Sequence, residues 1–142
     1  MSDKQSSQLI FLGVLLFLIG LTSGLIVPAM GNPRMGLAAH LEAIMNGMFL
    51  MLLGVIWARI EISDSLKRIT FWLALYGTFA NFIAIQLAAI TGAGAMLPLA
   101  GGKEGAAPVE MLITFLLISL SAAMIAMCFL VLIGLRNHMN KS

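Results

Sequence analysis

The sequence predicts an all-α integral membrane protein: one four-transmembrane-helix bundle spanning residues 1–142, with the N- and C-termini in the cytoplasm. Three observations predict it. Hydrophobic residues make up 61% of the chain and charged residues only 10%, at a mean hydropathy of +1.03, whereas a soluble domain needs about 25% charged residues to solvate its surface. The apolar residues fall into four runs, roughly 9–30, 39–58, 69–92 and 109–135. Each has about the 20 residues needed to cross ~30 Å of hydrocarbon at ~1.5 Å per residue. Finally, with four spans, Lys4, Arg59, Lys67, Arg68, Arg136 and Lys141 share one side of the membrane and only Arg34 and Lys103 the other. That bias places both termini inside the cell.

Each run reads as a helix because lipid leaves the backbone no other partner than itself, and none of the four alternates strictly as a barrel strand does. The first run follows Lys4 and invites comparison with a secretory signal, but it exceeds 20 residues, too long for a typical signal core; we expect it to be retained. Its "GLTSG" sets Gly20 and Gly24 four residues apart, with Gly13 a heptad before Gly20. Such spacing lets helix backbones approach closely where no hydrophobic effect drives association. The second run repeats the device with Gly47 and Gly54, and the third carries "YGTFANFIAIQ" over residues 76–86. The fourth holds the single Cys128, which excludes an intramolecular disulfide and reads as helix packing. A net charge of +2 is too small to suggest a nucleic-acid partner.

The connections are unequal. "RIEISDSLKR" (59–68) is a short charged cytoplasmic link, whereas "TGAGAMLPLAGGKEGAAP" (91–108) is long and Gly/Ala-rich. Loops beyond about 12–15 residues without structure of their own serve as lids or binding loops or remain plain linkers. The apolar Met96-Leu97-Pro98-Leu99 centre suits contact with the outer leaflet. No internal repeat supports a transporter built from inverted halves.

Polar residues inside the runs are the candidates for chemistry, because hydrocarbon penalises them. "HLEAIMNGM" places His40, Glu42 and Asn46 within seven residues. At about 100° per residue, His40, Ile44, Gly47, Met51 and Gly54 form one stripe, a smooth strip against which a flat group can lie. Asn46 points about 120° away from His40 and shares a face with Glu42. The pattern is therefore two adjoining faces, suited to a site shared between neighbouring helices or subunits. Plain alternatives stand beside it: His40 bonded to a loop carbonyl, Glu42 reaching headgroup water, Asn46 bridging helices. Thr78 and Asn81 of the third run share another face, with Tyr76 and Gln86 on others. No zinc spacing, nucleophile elbow or phosphate loop is present. His40 and His138 fall on opposite sides of the membrane, so metal chemistry rests on one histidine, which points to an ion already held by a macrocycle such as haem.

His-x5-Asn-Gly-Met, with Ala80-Asn81 and the four-span topology, resembles the styrene oxide isomerase and hydroxylaminobenzene mutase family over essentially the whole chain. The resemblance implies a homotrimer binding haem b between adjacent subunits, with His40 as axial iron ligand and Asn46 and Asn81 on the substrate side. An aspartate and a tyrosine that flank the third-helix asparagine in the epoxide isomerases fall here at Gly77 and Ile85, so neither is retained. The stretch is closer to the hydroxylaminobenzene mutases. The expected function is therefore a haem-dependent isomerase in a bacterial inner membrane, rearranging small aromatic hydroxylamines to 2-aminophenols with iron as Lewis acid. Asn46 and Asn81 are the expected catalytic residues, with Tyr76 for proton handling. Arg34 is the expected haem-propionate partner, Gly47 belongs to the cofactor face, and the 91–108 loop caps the haem. The alternatives are an aryl epoxide isomerase on the same scaffold and a small proton-coupled exporter using Glu42.

Overall fold

A computed structural model describes residues 2–141. Four helices account for most of it: α1 (Ser2–Ile26), α2 (Pro33–Ile56), α3 (Asp64–Thr91) and α4 (Ala107–Met139). Short 3-10 turns follow α1 and α2, at Val27–Ala29 and Trp57–Arg59, and a third sits in the α3–α4 loop at Pro98–Ala100. All four helices are long and apolar enough to cross a membrane.

The helices exceed the apolar runs at several ends, because capping rather than hydropathy decides where a helix begins. Asn32 Oδ1 accepts from the backbone N–H groups of Arg34 (3.1 Å) and Met35 (3.2 Å), and Pro33 occupies the first turn. A side-chain acceptor followed by a residue with no N–H to satisfy is a strong helix start. α2 thus begins at Pro33 rather than near 39, and His40 lies two turns inside it, not in its first turn. Ser63 Oγ accepts from Leu66 N at the start of α3 (3.4 Å). Gly92, at φ 75°, ends α3 in the left-handed conformation that glycine adopts without a steric cost. With 33 residues, α4 is about 50 Å long and outruns the hydrocarbon.

α1 packs on α2, α2 on α3 and α3 on α4, so α3 is flanked by α2 and α4 while α1 and α4 stand at opposite ends of this order. The α1–α2 contact is the closest, with the glycines facing each other. A Cβ on Gly13 would lie 2.7 Å from the Gly47 carbonyl oxygen, and one on Gly47 would lie 2.7 Å from the Gly13 carbonyl oxygen. One core cluster centres on Leu9, Leu16, Leu50, Trp57, Phe71 and Met127, and a second on Met35, Ala39, Ile85, Ala89 and Ile113. Much of α4, including Phe115, Ile125, Phe129 and Leu132, remains exposed as an apolar face.

The 91–108 loop has structure of its own. Gly94 N donates to Lys103 O (3.0 Å) and Lys103 N to Gly92 O (3.2 Å). The Glu110 carboxylate accepts from Gly94 N (2.9 Å), Ala95 N (3.1 Å) and Gly105 N (2.9 Å). Asn32 Nδ2 donates to the carbonyls of Ala100 and Gly101, each at 3.1 Å. The residue that starts α2 therefore also ties the loop over that end of the molecule, while Leu99 projects 92% exposed. At the other end Glu61 locks the α2–α3 connection to α4. Its backbone N donates to Gly134 O, its carbonyl accepts from Asn137 Nδ2, and its carboxylate pairs with His138 (2.7 Å) and Lys141 (2.5 Å).

Candidate functional site

His40 is held by α1. Its Nδ1 lies 2.7 Å from the Gly20 carbonyl oxygen, and its ring packs so closely on Gly24 that a Cβ there would sit 2.6 Å from Nδ1. A carbonyl can only accept, so Nδ1 carries the hydrogen, and in the neutral ring the Nε2 lone pair is left to act as a ligand. Nδ1–H donated to a carbonyl with Nε2 turned to the ion is the arrangement that metal-binding histidines use. Among the described residues no three His, Cys, Asp or Glu side chains converge. An iron here would therefore draw one protein ligand from this chain and the rest from a macrocycle. The donor chemistry of His40 fits haem. The Gly47 stripe does not offer the open strip expected from the sequence: Gly47 is buried, and α1 itself fills the space through Gly13 and Phe17.

Asn46 faces the other neighbour. Its Nδ2 donates to the Thr78 carbonyl of α3 at 3.4 Å, and the Thr78 hydroxyl donates back to Ala74 O at 2.8 Å. The helices run antiparallel, so one turn back from Asn46 and one turn on from Thr78 reach the same depth; these steps arrive at Glu42 and Asn81. At about 100° per residue, the buried positions of α3 sweep from Ala80 and Ala84 through Gly77 to Ala74 and Thr78. Asn81 lies within that arc, between the side where Gly77 meets Met124 of α4 and the side where Thr78 meets Asn46. Glu42 lies at an angle between Asn46 and Phe49, and Phe49 lines a groove of about 440 Å³ between α2 and α4. By helical position, Glu42 and Asn81 lie level with each other, one turn from the Asn46–Thr78 contact along the α2–α3 seam. Glu42 Oε2 is buried and has no hydrogen-bond partner among the described residues.

The remaining predicted residues lie elsewhere. Tyr76 is about 140° around α3 from Asn81, 40% exposed, with its hydroxyl 2.5 Å from Ser119 Oγ. Arg34 is exposed in the first turn of α2, at the same end as His40. Gln86 turns to the α1 side, where Nε2 meets Met30 Sδ at 3.8 Å. Within one chain, then, Asn46 bonds α3 one turn from Asn81, while His40 bonds α1 from a face about 120° around α2. Asn32 and Glu110, which organise the loop, were not identified from the sequence. The Asn-Pro pair and an acidic residue in the first turn of α4 are the signals that mark them.

The fold is all-α, with four helices long and apolar enough to cross a membrane. The styrene oxide isomerase family model matches residues 5–136, and the chain belongs to that family. It is 48% identical over 132 residues to hydroxylaminobenzene mutase HabB of Ectopseudomonas oleovorans, covering 92% of this chain and 80% of that protein. It is also 48% identical over 125 residues to hydroxylaminobenzene mutase HabA of the same organism, covering 87% and 93%. No solved structure matches. The protein is an isomerase.

Proposed function

We propose that this protein is a mutase of a bacterial inner membrane, its termini cytoplasmic, that rearranges aromatic hydroxylamines to 2-aminophenols with the help of haem b. The observation that carries this reading is the 48% identity to two hydroxylaminobenzene mutases over nearly the whole chain. The seam itself disfavours the epoxide reaction. Gly77 stands where the epoxide isomerases place an aspartate, and Met124 Sδ of α4 occupies the space a side chain would need. Ile85, at the tyrosine position, is buried against the second core cluster. Membership of an isomerase family leaves the exporter reading without support.

His40 would hold the haem through Nε2, with Nδ1–H fixed on Gly20 O, and Arg34 at the same end would pair with a propionate. When bound, the haem supplies a Lewis acid for the hydroxyl oxygen of the substrate. Asn46 and Asn81 orient the hydroxylamine and donate hydrogen bonds to the departing oxygen, and a donor so placed is worth roughly 10²–10³ in rate. The surrounding apolar helices admit an aryl ring from lipid and keep bulk water from trapping the ring-delocalised cation. His40 and the Asn46–Asn81 seam face different neighbours within one chain, which suits an oligomer in which the His40 face of one subunit meets the seam of the next, the trimer being what the family resemblance implies.

The test is the purified protein in detergent. Wild type should show a Soret band and convert hydroxylaminobenzene to 2-aminophenol. His40→Ala should lose the band, whereas Asn46→Ala and Asn81→Ala should keep it and lose turnover. A colourless, active wild type would remove haem from the proposal, and wild-type rates in both asparagine variants would remove their role.

A further inference from the structure

We infer that Glu42 is the specificity residue of the seam: its carboxyl accepts a hydrogen bond from the N–H or O–H of the hydroxylamine and so selects substrates that carry a donor. This inference rests on the mutase reading and adds a residue to it. The carboxyl sits one turn from Asn46 on the same face of α2, level with Asn81 by helical rise, and two turns from Phe49 at the edge of the apolar groove between α2 and α4. Its Oε2 is closed off from solvent and has no partner among the described residues.

An orphaned acceptor in hydrocarbon is costly, and a protein keeps one where a ligand supplies the missing group. An ionised carboxylate only accepts hydrogen bonds, and it is as the carboxylate that Glu42 discriminates. The partner missing from a carboxylate oxygen is a donor. An aryl hydroxylamine brings two, N–H and O–H, while an aryl epoxide brings only acceptors. A site with an obligatory buried polar partner discriminates steeply against the analogue that lacks it. The groove, with Phe49, Leu53, Met127 and Val131 on its walls, offers an aryl ring an apolar path from the bilayer that reaches α2 two turns from Glu42. The two asparagines do not provide this selection, because an amide both donates and accepts and so tolerates either class.

The experiment compares hydroxylaminobenzene as substrate with styrene oxide as competing ligand, on wild type, Glu42→Leu and Glu42→Gln in detergent. Leucine removes the acceptor at similar volume, and glutamine retains one acceptor oxygen. Glu42→Leu should lower kcat/KM for hydroxylaminobenzene about 10- to 100-fold, the loss of one hydrogen bond to a charged or polar group. The styrene oxide inhibition constant should not weaken, and Glu42→Gln should recover much of the loss. Wild type alone should bind hydroxylaminobenzene at least about 10-fold more tightly than styrene oxide, a measurement that needs no variant to fold. Equal weakening of both ligands in Glu42→Leu, an unchanged kcat/KM, or equal wild-type affinity for the two would overturn the role of Glu42 while leaving the mutase intact. A wild type that makes no 2-aminophenol overturns the mutase reading itself, and the inference with it.

Discussion

Replacing Gly24 with alanine tests whether α1 sets the orientation of His40. The added Cβ would lie 2.6 Å from Nδ1, 2.8 Å from Cε1 and 3.2 Å from Cγ of the imidazole. To restore ordinary contact at 3.4 Å, the ring must retreat by about 0.8 Å. The edge that retreats is the one bonded to Gly20 O at 2.7 Å, so the hydrogen bond stretches toward about 3.5 Å, where little of it survives. The helices cannot separate to relieve the contact without undoing the Gly13–Gly47 approach. Loss of the bond costs about 0.5–1.5 kcal/mol, and overpacking adds about 1–3 kcal/mol. On the proposed haem assignment, losing the group that orients a ligating histidine weakens metal affinity about 10- to 100-fold. Haem transfer to an apoprotein acceptor, followed by absorbance, measures the second effect, and the thermal midpoint in detergent measures the first. Gly92→Ala is the control: nothing lies within 4 Å of its Cβ, but φ is 75°, so it should cost about 1–2 kcal/mol and leave haem retention alone. If Gly24→Ala loses stability but holds haem as wild type does, the Nδ1–Gly20 contact does not tune the ligand and the reasoning fails.

The Glu110 carboxylate accepts from three loop N–H groups, so Glu110→Gln should forfeit at least one charge-assisted bond of about 1.5–3 kcal/mol. Amide hydrogen exchange across 93–105 should accelerate while exchange in α3 stays unchanged; unaltered loop protection would show that Asn32 alone secures it. At the opposite end, hydrogen bonds from Lys141 and then His138 hold the Glu61 carboxyl below its ordinary value of 4.5. A lowered folded-state value contributes stability above the unfolded value and loses it as pH falls through the folded one. The α2–α3 connection should therefore loosen from α4 only below about pH 4.5, as read by proteolysis at 59–68, and Glu61→Gln should abolish that pH dependence. Loosening that persists in Glu61→Gln would place the acid-sensitive group elsewhere.

Hydropathy and helical period made much of this protein legible before any fold was known. Four spans followed from the length of the apolar runs, since lipid leaves the backbone no other way to bond. The separation of His40 from Asn46 followed from 3.6 residues per turn alone, and the fold preserves it. Period, however, gives an angle on a helix and not the neighbour that stands there. Only packing showed that the Gly47 stripe is filled by α1, that Tyr76 turns to Ser119 and away from Asn81, and that Met124 closes the space beside Gly77. The α2 start was written in Asn32-Pro33 but masked by its polarity, which a hydropathy window reads as loop. The second role of Asn32 was not written there at all, because the Ala100 and Gly101 carbonyls are 68 and 69 residues away in the chain. The orphaned Glu42 oxygen belongs to the same class: whether a buried acceptor has a partner depends on every element around it, and only the tertiary structure brings those elements together.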